Sequence, residues 1–415
     1  MIMRLRKLLF ITVILTVCFQ AVLFAQIKVG DVYPDWTAGS MDIHHVNTGR
    51  GECVFAILPD GTTLMIDAGE TGPSPRTTDA RPDDSRSAGD WITRYVQRMM
   101  RPLPEKKLDY IFITHLHSDH IGTVQLSRKK SAKGDYMLTG ITEVGDNIPF
   151  GKIVDRGWPD YKWPIPMTDN RIVQNYINFV QWHTAHGAKA EQFQVGSNQQ
   201  FTLLKQANKY PEFEIRNLAA NGVVWTGVQN NVRNHFPPLE AIPKGNIPDE
   251  NKCSAAIRIS YGRFDYFNGG DLSNGYAPAG SWEDIETPVG LVTGPVDVCE
   301  VNHHAYSDAM GEAFIKAVRP RVFILQAWDA AHPVGMILAR MLSQSVYPGE
   351  RDIFATNLLE ANRIVIGDRS KQMQSTQGHI VIRVHPGGEQ YNIYILDDAT
   401  ENFSVKSVFG PYESR

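Results

Sequence analysis

Apolar positions recur along this chain in two rhythms. Residues 54–58 and 63–67 are short, strand-like apolar runs, and Pro59-Asp60-Gly61 between them joins a φ-fixed proline to a permissive glycine, a turn sequence that predicts a hairpin. Trp91, Ile92, Tyr95, Val96 and Met99 fall at helical spacing and predict an amphipathic helix over 88–100, laid against a sheet. Residues 108–113 read as a buried strand, and 171–183 as a helix with Ile172, Tyr176, Phe179 and Val180 on one face. Strands and helices keep alternating, with no Ser/Gly-rich linker and no internal repeat. The pattern predicts one α/β domain (α+β in detail) over residues 26–415, with residues 139–250 as its variable part.

An apolar stretch over 8–24 behaves differently. It follows Arg4, Arg6 and Lys7 and ends at Ala25-Gln26, which predicts a signal peptide over 1–25 and a secreted or periplasmic protein with no membrane attachment after cleavage. The rival is an uncleaved anchor, since Leu23 is large for a cleavage site and the stretch nears the ~20 residues that span a bilayer. Removing 1–25 takes away three basic residues and no acid, so the formal charge of −4 becomes −7. Such a balance gives no global attraction to nucleic acid or to anionic membranes, and no stable nucleic-acid complex is expected. Three cysteines remain, Cys53, Cys253 and Cys299, an odd and sparse set in apolar contexts that predicts buried free thiols over a disulfide scaffold.

Chemistry concentrates in Thr114-His115-Leu116-His117-Ser118-Asp119-His120, directly after the 108–113 strand. Three imidazoles and a carboxylate within six residues suit transition-metal ions, which take neutral ring nitrogens and ionised oxygens together. On an extended chain His115 and His117 point the same way. The following turn brings Asp119 and His120 to a second position a few Å away, so one stretch can serve two metals.

The spacing His115-x-His117-x-Asp119-His120 resembles the metallo-β-lactamase superfamily, which implies a four-layer αββα sandwich with metals at the rim between two sheets. Val46-Asn47-Thr48-Gly49-Arg50-Gly51-Glu52-Cys53 and Thr63-Leu64-Met65-Ile66-Asp67-Ala68-Gly69 are similar to the opening hairpin of the extracellular hydrolase domain of ComEC-type competence proteins. Arg50 and Glu52 stand where that family has Gln and Asp. Further along, Phe267-Asn268-Gly269-Gly270-Asp271, His303-His304 and His332-Pro333 keep the family's order, so the resemblance runs over roughly 40–385 and is weak between 139 and 250. It implies two divalent ions, zinc or manganese, held by His115, His117, Asp119, His120, a bridging Asp271 and His304. His304 is preferred to His303 because it ends an apolar strand four residues before Asp308, a predicted cap for the helix that follows. His303 and Asp67 then stand in the outer shell or at the substrate. Many members carry a further histidine for the first metal before the bridging Asp, and only His183, His186 and His235 lie in that interval here.

The implied activity is hydrolysis by a metal-bridging hydroxide, with Asp119 orienting the nucleophile and His332 giving a proton to the leaving group or binding a phosphate oxygen. A phosphodiesterase or nuclease acting on small or single-stranded substrates is the expected class. The alternatives are a lactamase, lactonase or thioesterase of the same fold, and a binding module without turnover. Arg128, Lys129, Lys130 and Lys133 offer either phosphate contacts or a solvated face. Trp158, Tyr161, Trp163, Trp182 and Trp225 give the 139–250 stretch the character of an aromatic-rich insertion, which forms either a wall of the site or a satellite core.

Overall fold

The computed structural model describes residues 27–72, 77–125, 127 and 129–415. The segment 1–25 and Arg128 lie outside the described residues. The chain runs through β1 (Met41–His45), β2 (Val54–Ile57), β3 (Thr63–Ile66), α1 (Ala88–Met99), β4 (Leu108–Phe112), the single turn α2 (Ser118–Ile121), α3 (Gly140–Asn147), β5 (Phe150–Asp155), α4 (Arg171–Ala185) and β6 (Lys189–Gln192). Next come β7 (Phe213–Ala220), β8 (Val223–Trp225), β9 (Val232–Asn234), β10 (Ala256–Tyr261), β11 (Phe264–Asn268), α5 (Glu286–Thr293) and β12 (Val298–Glu300). It ends with α6 (Glu312–Val318), β13 (Val322–Leu325), α7 (Gly335–Leu342), β14 (Asp352–Ala355), α8 (Glu360–Ile366), β15 (His379–Val384), β16 (Gln390–Leu396) and β17 (Val405–Glu413).

These strands form two sheets, one ordered β17-β16-β15-β1-β2-β3-β4-β5-β6 and the other β14-β13-β12-β11-β10-β7-β8-β9. Alternation along each strand sorts the side chains into three cores. In β3, Leu64 and Ile66 face the opposite sheet while Met65 faces α1 and its neighbours. In β13, Val322 and Ile324 face the first sheet while Phe323 and Leu325 pack under α6 and α7. Three apolar layers between four polypeptide layers make an αββα sandwich, the predicted architecture. Among the described residues no helix is long and apolar enough to cross a membrane.

Local chemistry sets the helix boundaries. Ser87 caps α1 by accepting from Asp90 N (3.2 Å), and Asn170 caps α4 by accepting from Ile172 N (2.9 Å). The 139–250 stretch is less separate than its sequence suggests. It supplies β5 and β6 to the first sheet and β7 to β9 to the second, so both sheets run through it. Its aromatic residues fill the fold. Tyr161 is buried with its hydroxyl on Asp155 (2.9 Å), Trp163 stacks on Phe236, Trp158 and Trp182 pack against the core beneath α4, and Trp225 lies under the Arg216 guanidinium. Cys53, Cys253 and Cys299 are buried free thiols, as expected.

Candidate metal centre

In the first sheet β3, β4, β5 and β6 are parallel neighbours, and in the second β11, β12, β13 and β14 are. The loops leaving the carboxyl ends of β3, β4, β11, β12 and β13 converge at the seam between the sheets, the place where α/β folds collect ligands. β4 stops at Phe112, so His115 and His117 sit beyond the strand and are aimed by the loop rather than by strand alternation. That loop is held by Asp67, whose carboxylate accepts from Thr114 N (2.8 Å) and Thr114 Oγ1 (2.6 Å), and by Glu250, which accepts from Leu116 N (2.8 Å). A Cβ at Gly69 would overlap the Asp119 carbonyl, and one at Gly270, which has φ +52°, would meet the Thr114 side chain.

The donor atoms fall into two adjacent groups that share Asp271. His115 Nε2 lies 3.2 Å from His117 Nδ1 and 3.6 Å from Asp271 Oδ2. The other oxygen, Oδ1, lies 3.3 Å from His120 Nε2 and 3.5 Å from His304 Nε2. Asp119 Oδ2 joins the second group, 3.3 Å from His304 Nε2 and 3.7 Å from His120 Nε2. Glu52, His120, Asp271 and His304 each offer a donor atom within 4.8 Å of the others, and so do His115, His117 and Asp271. His120 Nε2, Asp271 Oδ1 and Glu52 Oε1 are buried there without a hydrogen-bond partner. Buried polar atoms seldom go unpaired, so convergent orphans of this kind fit a cation.

Protonation is set for ligation as well. Burial first, and then the neighbouring His120 ring, lower His115 well below the ordinary imidazole range, which leaves a neutral ring. Burial also acts to raise Asp119 and Asp271, but the surrounding imidazoles, His120 first, outweigh it and hold both carboxyls below their usual range. The far side of each second-group ring is anchored. His120 Nδ1 meets Asp67 (2.7 Å), and His304 Nδ1 meets the Gln326 carbonyl (2.9 Å), which turns each Nε2 inward, that of His304 also being met by Trp328 Nε1 (3.3 Å).

The structure gathers His115, His117, Asp119, His120, Asp271 and His304 into this centre, with Asp67 in contact behind them. His303 also reaches it, its Nε2 3.9 Å from Asp271 Oδ2. His332 is buried and stacks on the His304 ring at 4.7 Å, with Trp328 5.0 Å from it. His183 packs among Tyr136, Phe150 and Phe179, His186 stacks on Trp182, and His235 faces the Ser281 carbonyl, so none of the three joins the centre. Lys130 pairs with Asp135 and Lys133 with Asp146, a solvated face, while Lys129 lines a cleft beside Arg50.

Two expectations need correction. β12 ends at Glu300, and His303, His304 and Ala305 form a turn with φ of 43°, 49° and 57°, so the paired imidazoles do not end a strand. Asp308 caps nothing, because α6 starts at Glu312 behind Gly311; its carboxylate instead accepts from His303 Nδ1 (2.7 Å). Sequence reasoning also missed a buried layer beneath the centre. Glu52 lies 3.6 Å from His304 Nδ1, and Glu300 accepts from Tyr266 and Gln326 at 2.5 Å each and from Asn268. Burial and the neighbouring Glu300 push Glu52 up, whereas Glu300 is held down at about 2 against its burial, His45 being the first cause. The one signal was Glu52 itself, an acid where the resembled family also has one.

A sequence model described as Metallo-beta-lactamase superfamily matches residues 47–187. No curated protein matches the chain significantly. Among solved structures it is similar to a Parabacteroides distasonis ATCC 8503 protein described only provisionally as a metal-dependent hydrolase, at 11% identity over 76% of this chain and 93% of that one, with a TM-score of 0.35. It is also similar to the short form of human tRNase Z, at 12% identity over 68% and 91% of the two chains with a TM-score of 0.30. A diphosphatase of the PhnP family shows 10% identity over 69% and 85%, also with a TM-score of 0.30. Since residues 47–187 include the His115-to-His120 loop and the strands that carry it, the chain contains a metallo-beta-lactamase superfamily domain and is a metal-dependent hydrolase of that fold.

Proposed function

We propose that this hydrolase cleaves phosphodiester bonds in small or single-stranded substrates, outside the cytoplasm after removal of residues 1–25, in the manner of the ComEC-type domain it resembles. The observation that carries the reading is the division of Asp271, with Oδ2 turned to His115 and Oδ1 to His120 and His304. Two ions bound there would supply Lewis acidity and a nucleophile at neutral pH. His115 and His117 would hold the first, and His120, His304 and Asp119 the second. Asp119, the least enclosed of the carboxylates, would also orient the attacking oxygen. His332, stacked on His304 and kept neutral by burial, can hydrogen-bond a phosphate oxygen of the substrate.

Charge argues for the substrate's size. The cleft beside the β1–β2 loop has a volume of about 560 Å³ and sets Arg50, Arg86 and Lys129 against Glu70, Asp84, Asp90 and Glu143, nearly balanced signs that give little pull on a polyanion. Metal-reconstituted protein should therefore turn over bis-aryl phosphodiesters and short single-stranded oligonucleotides faster than duplex DNA, and Asp271→Ala should abolish the activity. Metal-dependent opening of a chromogenic cephalosporin or an acyl lactone, with no phosphodiester cleaved, would transfer the assignment to the acyl-bond hydrolases. Metal binding without turnover of any of them would make the protein a binding module.

A further inference from the structure

The first metal position, as described so far, has two imidazoles and one carboxylate oxygen, and no histidine before Asp271 completes it. We propose that His303 is its missing protein ligand, supplied from the second sheet on the far side of the bridging carboxylate. The inference rests on the metal-centre reading above and adds the ligand set of one of its two positions.

Three observations carry it. His303 Nε2 faces the oxygen of Asp271 that His115 faces, at 3.9 Å and 3.6 Å, while His304 faces the other oxygen. Adjacent residues thus send one ring to each position. The second observation is the back of the ring. His303 Nδ1 donates to Asp308 at 2.7 Å, the carboxylate–imidazole pairing that fixes the tautomer of metal-binding histidines and leaves the Nε2 lone pair inward. Nε2 accepts there from Asn251 Nδ2 at 3.1 Å, an amide that an ion at this position would displace from the lone pair. The third is backbone cost. Consecutive histidines at φ 43° and 49° occupy a left-handed region that non-glycine residues enter only at an energetic cost. The turn is held there by His303 N on the Gly270 carbonyl (3.2 Å) and by buried Glu286, which accepts from Asn302 Nδ2 (2.8 Å), Met310 N (2.7 Å) and Gly311 N (2.9 Å). An extended continuation of β12 would send successive rings to opposite faces. The left-handed turn lets both converge on one carboxylate.

The test is zinc titration of the full chain against a competing chelator, read together with zinc-edge X-ray absorption. His303→Gly removes the ring while relieving its φ, so the fold should survive. Wild type should bind two zinc ions. His303→Gly should keep one and lose at least about 100-fold in affinity for the other, with fewer imidazoles per zinc, and Asp308→Asn should lose about 10–100-fold at the same position. His183→Ala, His186→Ala and His235→Ala should titrate as wild type. If His303→Gly binds two ions as tightly as wild type with an unaltered imidazole number, or if one of those three alanine variants loses an ion, the assignment is overturned and the dinuclear reading stands. A wild type that binds no zinc overturns both.

Discussion

Asp67 shows how much of the centre depends on a single side chain that need touch no metal. It has φ 54°, just past β3, and turns a fully buried carboxylate onto Thr114 and the Nδ1 of His120. Burial raises its pKa and the His120 ring pulls it back, so the pair is held together in a dry setting. Asp67→Asn would present an amide donor to groups that already donate. It should weaken zinc binding at the second position by about 10–100-fold, measurable by chelator competition, with the first position little changed. At this scale the sequence was most legible where chemistry is local. His115 to His120 lie within six residues, and their spacing alone implied two positions. Glu300, Gln326 and the role of His303 were not legible, because each depends on a turn or a strand end whose geometry is set by distant chain.

Among the elements, the loop after β4 is tied to the 139–250 region through Glu250, itself held in a buried ion pair. Glu250 accepts from Leu116 N, and its carboxylate also pairs with Arg156, whose side chain is wholly buried and donates further to Asn221 (2.9 Å) and the Trp163 carbonyl (3.2 Å). Removing one partner of a buried pair strands the other charge. Glu250→Ala should cost on the order of 3–5 kcal/mol in urea unfolding, and Glu250→Gln, which can still accept from Leu116, should cost less. Elements with their own period and cap were readable, as α1 and α4 show by starting directly after Ser87 and Asn170. The 139–250 region was not, since β7 finds its partner β10 only across a long connection and β8 and β9 are three residues each, too short for periodicity to register. Asp308 misled for a related reason: a good capping residue was taken up by a side chain before the helix began.

For the whole molecule, acid sensitivity can be traced to the core beneath α1. His379 accepts from Asn47 N at 3.0 Å, packs against Tyr95 and is lowered to about 4 by burial; nearby Asp397 and Asp398 push it up and Lys406 pushes it down. Its ordinary pKa is near 6.5, so between pH 6.5 and 4 the unfolded chain takes up a proton that the folded chain refuses. Stability from this residue is complete above pH 6.5 and declines as pH falls, by on the order of 3 kcal/mol in all. Asp297, raised to about 6 by burial, works in the opposite direction, favouring the fold as pH drops through its window. Urea titrations of metal-free protein at pH 7.5, 6 and 5 should show His379→Gln with a flatter acid limb than wild type. A larger consequence follows from where the ligands originate. His115 to His120 leave the first sheet and Asp271, His303 and His304 leave the second, so neither half of the sandwich owns a complete binding position. Ions set there would act as rivets across the seam, adding about 4 kcal/mol each when present at a thousand times their dissociation constant. Such rivets would go in last, because a ribosome must pass residue 304 and both sheets must dock before either position has all its ligands.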